Sequence, residues 1–315
     1  MWWIALLVAL ALLCAVLYYV VEMPYMLKDL DPKRRAVLVT GAASGIGKKT
    51  CERLLSDGAF VFACDINKDA LEEVYKSFPA SNVCCLKMDV TKMQDVRTAY
   101  EQIEKEIIKG NAENYIVGSL FGLVNCAGIA PPTKSSLVEK DDREAELLYA
   151  VNVLGIEKCN RVFYPLLSST NNKQSSCIVN IASVCGLTGF PFFSHYSATK
   201  AAVSSYSASL RRELLRQGAV RVTCINPGFT DTPIINTSLS FDSSKFKKEM
   251  TVLQNEHLDL LWNKKRMQKP RVVADAIVDS LFSSNNSSEI RGLIDNRVID
   301  TPSDIDILSD IEQII

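Results

Sequence analysis

The chain predicts an α/β fold in which one parallel sheet carries helices on both faces. Three observations predict it. Short apolar runs alternate with helix-like stretches from residue 33 to about residue 230, the pattern of consecutive strand–helix units. A glycine-rich segment, Thr40-Gly-Ala-Ala-Ser-Gly-Ile-Gly47, follows the first run and opens the first helix. The unusual residues Gly41, Asp65, Asp89, Asn125, Ser183 and Pro227 all fall just after strands, where open α/β sheets hold their ligands.

In chain order, Ala36–Val39 is the first strand, and the helix after the glycine segment runs to about Ser56, stopped by Asp57-Gly58. Ala59–Cys64 is the second strand, ending on Asp65, and a helix from about Lys68 to Phe78 follows. Val83–Met88 is the third, ending in Asp89-Val90, before a helix over roughly Met93–Ile108 and a polar surface loop over Lys109–Val117. Leu120–Val124 is the fourth, ending in Asn125-Cys-Ala-Gly128, and the next helix carries Asn152. Cys177–Ile181 delivers Ala182 and Ser183; a helix from near Ser194 to Leu215 carries Tyr196 and Lys200; Val220–Ile225 ends in Asn226-Pro-Gly228.

Strand, glycine turn and helix form the setting a dinucleotide loop requires, which makes the expected fold a single doubly wound domain of Rossmann type. Gly41 permits the sharp turn, Gly45 lets a pyrophosphate approach the backbone, and Gly47 allows close helix packing, with phosphate at the helix N-terminus. Asp65 at the end of the second strand can accept from ribose hydroxyls and repels a 2′-phosphate. No arginine or lysine lies within the loop, so NAD is the expected cofactor; Lys48 and Lys68 keep NADP as the alternative. Tyr196 and Lys200 are four residues apart, hence on one helix face. An ammonium there would stabilise the phenolate and lower the tyrosine's pKa, equipping it to trade a proton with an alcohol or ketone.

The net charge of −1 over 315 residues, with no basic stripe, argues against nucleic acid. Ten cysteines are scattered without a CxxC, and His195 and His257 are the two histidines; buried free thiols are expected, and no metal site. Trp2 to Val21 carries no charge, and twenty residues at ~1.5 Å each span the ~30 Å core of a bilayer. With no basic segment before it and no A-x-A-like site after it, this run reads as a membrane anchor rather than a cleaved signal. The expected organisation is an anchor over 1–22, a linker over 23–32 and a catalytic domain over 33–315. Lys28, Lys33, Arg34 and Arg35 follow the apolar run and place that domain in the cytosol. Residues 232–270 mix apolar and basic side chains and are expected to form a lid over a hydrophobic substrate, with Gly186–Phe193 as a further wall. Asp300–Ile315 is expected to form a short docking helix.

Taken in order, these motifs resemble the short-chain dehydrogenase/reductase family over about residues 33–230, including the thirteen-residue spacing from Ser183 to Tyr196. Cys126 departs from the pattern, which more often has a second asparagine. The resemblance implies that Tyr196 is the general acid/base, that Lys200 holds the nicotinamide ribose and lowers the tyrosine's pKa, that Ser183 binds the substrate oxygen, and that Asn152 positions a relay water. It implies cofactor contacts from Thr40, Gly41, Ser44, Gly45, Ile46 and Gly47; from Asp65, and from Asp89 and Val90 at adenine; from Asn125, Ala127 and Gly128; and from Pro227, Gly228, Thr230 and Thr232, besides Tyr196 and Lys200. Leu120-Phe-Gly-Leu-Val-Asn, Ser209-Leu-Arg-Arg-Glu-Leu and Pro227-Gly-Phe-Thr are similar to the retinol and hydroxysteroid dehydrogenase branch. The implied function is a membrane-anchored, NAD(H)-linked oxidoreductase of a lipid-like alcohol, a retinoid or steroid, in the endoplasmic reticulum and facing the cytosol. An NADPH-dependent carbonyl or 3-ketoacyl reductase is the enzymatic alternative, and a catalytically silent scaffold the non-enzymatic one. A homodimer is a further family-level expectation.

Overall fold

The computed structural model describes residues 30–130, 142–168, 176–190, 193–215, 220–234, 267–282, 289–294 and 297–298. The apolar runs become strands buried on both sides. In β1 (Ala36–Thr40) every residue is buried: Val37 and Val39 join one core cluster, Ala36 and Leu38 the other. β2 (Phe60–Asp65) repeats the division, with Val61 and Ala63 on one side and Phe60, Phe62 and Cys64 on the other. A period of two with both phases apolar is what a parallel sheet covered on both faces demands.

Two helix layers supply the covering. On one face lie α1 (Gly45–Ser56), through Cys51 and Leu54, and α2 (Lys68–Tyr75), through Leu71 and Tyr75. On the other lie α3 (Met93–Ala112), through Val96, Ala99 and Ile103, and, after α4 (Asp142–Tyr149), α5 (Ile156–Ser168), through Cys159, Phe163 and Leu167. Fully burying each of the valine, leucine, isoleucine and phenylalanine side chains among them contributes about 1.5–3 kcal/mol. The remaining elements are β3 (Val83–Lys87), β4 (Leu120–Asn125), β5 (Ser176–Ile181), α6 (Ser194–Leu215), β6 (Val220–Pro227), α7 (Pro270–Phe282), β7 (Glu289–Ile294) and β8 (Arg297–Val298).

Among the described residues the sheet has eight strands in the order β3-β2-β1-β4-β5-β6-β7-β8. Strands β1 to β7 pair in parallel, and β8 returns antiparallel to β7. The chain winds outward from β1 to β3, crosses back, and winds the other way from β4. Its switch point is therefore the β1–β4 pair, where Thr40 lies beside Asn125, and a cleft opens beyond those carboxyl ends.

Several expectations are corrected. α3 continues through Ala112, so the first residues of the expected 109–117 loop are helical. Asn152 lies in a π-helical turn, Ala150–Gly155, between α4 and α5. Between the expected lid and the expected Asp300–Ile315 helix the sequence analysis assigned no element, yet α7, β7 and β8 extend the domain there. Pro270 at the start of α7, followed by apolar residues at 273, 274, 277, 278 and 281, is a legible helix signal. Among the described residues no helix is long and apolar enough to cross a membrane. The 1–22 anchor, the 235–266 part of the lid and the Asp300–Ile315 helix lie outside the described residues.

Candidate active site

The cleft at the switch point has a volume of about 500 Å³. Its β1–β2 side is backbone. Gly41 holds φ +66°, a conformation L side chains rarely adopt, and turns the chain out of β1. Gly47 must be glycine for a different reason: a Cβ there would lie 2.2 Å from the Gly41 carbonyl oxygen. Ser44 stands at the N-cap of α1 but makes no capping bond, and Gly45, Ile46 and Gly47 line the cleft, a helix start suited to an anion. From below, the Tyr75 hydroxyl donates to the Ala42 carbonyl at 2.8 Å. Asp65 accepts from the Ala43 N–H through Oδ2 and from the Asn67 N–H through Oδ1, each at 3.0 Å. The glycine-rich loop, the uncapped helix and the carboxylate at the end of β2 fit a dinucleotide.

The β5–β6 side is built from side chains. Ser183 caps the short 3-10 turn Val184–Gly186, its Oγ accepting from the Cys185 N–H at 3.2 Å. Tyr196 and Lys200 project from α6, with the lysine Nζ 5.7 Å from the tyrosine ring centroid. Lys200 Nζ donates to the Ile181 carbonyl at 3.0 Å and is 5% exposed. Burial brings this lysine down to about 8. The same burial pushes the Tyr196 phenol up, with the Cys185 thiol adding to the rise and a hydrogen bond with Ser183 opposing it. The expectation that Lys200 lowers the phenol is therefore not met in this structure. Desolvation is the largest cause of both shifts.

Of the expected site residues, Gly41, Ser44, Gly45, Ile46, Gly47, Asp65, Asp89, Val90, Ala127, Gly128, Ser183, Tyr196, Lys200, Pro227, Gly228, Thr230 and Thr232 line the cleft. Thr40, Asn125 and Asn152 do not; each is fully buried or nearly so and is spent on internal bonds. Thr40 Oγ1 accepts from the Ala127 N–H at 3.0 Å, tying the two loops of the switch point together. Asn125 Nδ2 donates to Asn160 Oδ1 and Asn180 Oδ1, both at 2.8 Å, bracing β4 against α5 and β5. Asn152 binds the backbone of Ile129 through both ends of its amide, each at 2.9 Å. These three side chains thus support the cleft from behind its lining.

Sequence reasoning missed the liners Leu147, Cys185 and Phe229, while Ile234 belongs to the segment expected as a lid. Cys185 and Phe229 pack with Val184, Phe193 and Tyr196 in one apolar cluster on the cleft wall. Phe193 meets the Tyr196 ring edge-on, centroids 6.2 Å apart, and Phe190 meets Phe229 at 5.6 Å. The apolar run from Gly186 to Phe193 gave a partial signal; Phe229 had none beyond following Pro227-Gly228.

A family model described as short chain dehydrogenase matches residues 35–242. The chain belongs to that family. It is accordingly an oxidoreductase of the NAD(P)-using short-chain dehydrogenases. Among its curated relatives, estradiol 17-beta-dehydrogenase 2 of Rattus norvegicus is 33% identical over 261 residues, covering 79% of this chain and 64% of the relative. The chain thus spans under two thirds of that relative's length. The 3-oxoacyl-(acyl-carrier-protein) reductase FabG of Thermotoga maritima is 29% identical over 262 residues, covering 82% of this chain and 94% of the relative. Among solved structures, a 3-ketoacyl-(acyl-carrier-protein) reductase from Brucella melitensis complexed with NADH superposes with a TM-score of 0.66 at 25% identity, covering 83% of this chain and 96% of that one.

In this short-chain dehydrogenase, a hydroxyl, a phenol and a buried amine converge at the end of an anion-binding, backbone-lined cleft. When bound, the dinucleotide gives or takes a hydride. The chain's own groups can hold one substrate oxygen and exchange its proton.

Proposed function

We propose that this enzyme oxidises a secondary or allylic alcohol of a lipid-like molecule, a steroid or retinoid, with NAD. The observation that carries the reading is the apolar cluster packed with Tyr196: Val184, Cys185, Phe193 and Phe229 line the cleft there and offer a substrate no charged group. Such a wall favours ring or polyene carbon over a polar acyl carrier. The likeness to estradiol 17-beta-dehydrogenase 2 supports the same reading. Asp65 supports NAD, since its carboxylate stands at the end of β2 beside the glycine loop and would repel a 2′-phosphate. In this reading Tyr196 removes the alcohol proton, Ser183 holds the oxygen, and Lys200 binds the nicotinamide ribose. Asp89 and Val90 face adenine, and Thr230 and Thr232 face the carboxamide. Residues 2–21, uncharged throughout, anchor the enzyme in the endoplasmic reticulum membrane with its catalytic domain cytosolic, and two copies pair.

A second reading, an NADPH-dependent 3-ketoacyl reductase, is favoured by the near full-length match to the Thermotoga maritima reductase. Turnover of estradiol, retinol and acetoacetyl-coenzyme A with each cofactor separates the two. NAD-dependent oxidation of estradiol or retinol is the expected result. Exclusive NADPH-dependent reduction of the thioester would overturn it. Deleting residues 1–22 should release the enzyme from membranes on sedimentation; retention would remove the anchor.

A further inference from the structure

Thr199 lies between the two catalytic candidates of α6 and is fully buried. Positions 196, 199 and 200 share one helix face, so the residue before Lys200 turns inward with it. Its hydroxyl donates to the Tyr196 carbonyl at 2.7 Å. That bond alone is a common accommodation of threonine within a helix. The other bond is not: Thr199 Oγ1 also accepts from Asn152 Nδ2 at 3.2 Å, across to the π-helical turn.

Asn152 is itself fully buried, and its amide is spent on two neighbours. Oδ1 accepts from the Ile129 N–H and Nδ2 donates to the Ile129 carbonyl, each at 2.9 Å, while the second amide hydrogen is the one held by Thr199. Gly128, immediately before Ile129, lies where this clamp meets the lysine. A Cβ on it would be 3.3 Å from Asn152 Oδ1 and 3.6 Å from Lys200 Nζ. The clamp therefore links the catalytic helix, the π-helical turn and the end of β4 around the lysine head.

We propose that Thr199 is a positioning residue of the reaction, its hydroxyl fixing the Asn152 amide and thereby the Gly128-Ile129 backbone beside Lys200. Without the hydroxyl, one buried amide hydrogen loses its acceptor and the side chain is free to turn. The Gly128-Ile129 backbone beside Lys200 is then no longer held in one arrangement, and the ammonium loses its fixed place against the Tyr196 ring. The other groups facing this pair stay in place: Ser183 and Cys185 at the phenol, and Cys126, Cys185 and Cys224 at the lysine.

The inference rests on the family chemistry and on no particular substrate, so its test begins without one. With saturating NAD, ultraviolet difference titration against the Tyr196→Phe variant reads the Tyr196 phenolate midpoint. Thr199→Val is expected to raise that midpoint by about one pH unit and to lower kcat about tenfold on any turned-over alcohol, while NAD affinity stays within about twofold. Thr199→Ser, which keeps the hydroxyl, should restore both. An unmoved midpoint in Thr199→Val, or a serine variant that behaves like valine, would overturn the proposal and leave the substrate reading untouched. If the valine variant does not fold, Thr199→Ala is read by the same two measures and decides in the same way.

Discussion

On the β1–β2 side of the cleft the ligand-facing surface is backbone, and on the β5–β6 side it is side chain. The first side relies on Gly41 at φ +66°, on Gly47 packed against the Gly41 carbonyl and on the uncapped start of α1. The second relies on Ser183, Tyr196 and Lys200, whose positions depend on bonds to the Ile181 carbonyl and, through Thr199, to Asn152. The difference teaches where each kind of damage should register. Substitutions on the backbone side should harm folding and dinucleotide binding together. Substitutions on the side-chain side should separate chemistry from both.

The largest expected effect tests the side-chain half. Tyr196→Phe removes the proton donor while keeping the ring that packs on Phe193. Turnover should fall about 10³-fold, the scale of a lost general acid/base, with the melting temperature and NAD affinity near those of the parent. Steady-state kinetics beside calorimetric NAD titration reads both, and undiminished turnover would remove Tyr196 from its role.

The same contrast explains what could be read from sequence. The backbone half is local: strand, glycine spacing and helix occupy consecutive residues 36–56, and Asp65 ends the next strand. The side-chain half is assembled across the sheet, yet Ser183, Tyr196 and Lys200 were still found because each follows or closely succeeds β5. What escaped was the support behind them. Thr199 looks like spacing inside its motif, and nothing local pairs it with Asn152, 47 residues away. Asn125, expected to brace the central sheet beside the cofactor, does pair with Asn160 and Asn180. Thr40 was expected among the cofactor contacts by resemblance, and its hydroxyl is instead paired with the Ala127 N–H, a choice set by packing depth. The downward shift expected for the phenol failed for a related reason, since spacing reveals proximity but not burial. α7 was missed because the irregular stretch before it hid a start signal that Pro270 does carry.

Gly47→Ala probes the backbone half at the next level. A methyl group 2.2 Å from a carbonyl oxygen forces the loop away from α1, at a cost of about 2–4 kcal/mol. Denaturant unfolding should register that loss together with weakened NAD binding. Intact stability with weakened binding alone would break the contrast.

Lys200→Met should move stability the other way. The lysine is buried and titrates near 8 in the folded chain, below its unfolded value, so at neutral pH folding works against a buried charge. Methionine keeps most of the stem's length and removes the charge, and should stabilise by about 1–2 kcal/mol at pH 7 while abolishing turnover. The sign follows from proton counts: between about 8 and ~10.4 the unfolded chain holds the proton more than the folded one does, so the parent gains stability as pH rises. The methionine variant's advantage should therefore shrink across that window. An advantage that is constant with pH would place the effect in packing instead of charge.

Asp65→Asn is the smallest change and the sharpest test, because Asp65 is a side chain doing its work in the backbone half. Its two oxygens accept from Ala43 N–H and Asn67 N–H, and asparagine offers one acceptor where two N–H groups converge. If the residue's main part is to hold the loop, NAD and NADP should both bind more weakly. If its charge selects the cofactor, the two should diverge, with NAD weakened and NADP improved. The carboxylate's repulsion of a 2′-phosphate is the larger influence here, since either N–H can turn to water at this half-exposed edge. The expected result is a shift of about tenfold in the ratio of kcat/KM values toward NADP, with the melting temperature lowered by no more than a few degrees. Parallel loss for both cofactors would make Asp65 another piece of loop scaffolding and extend the backbone rule to the whole of that side.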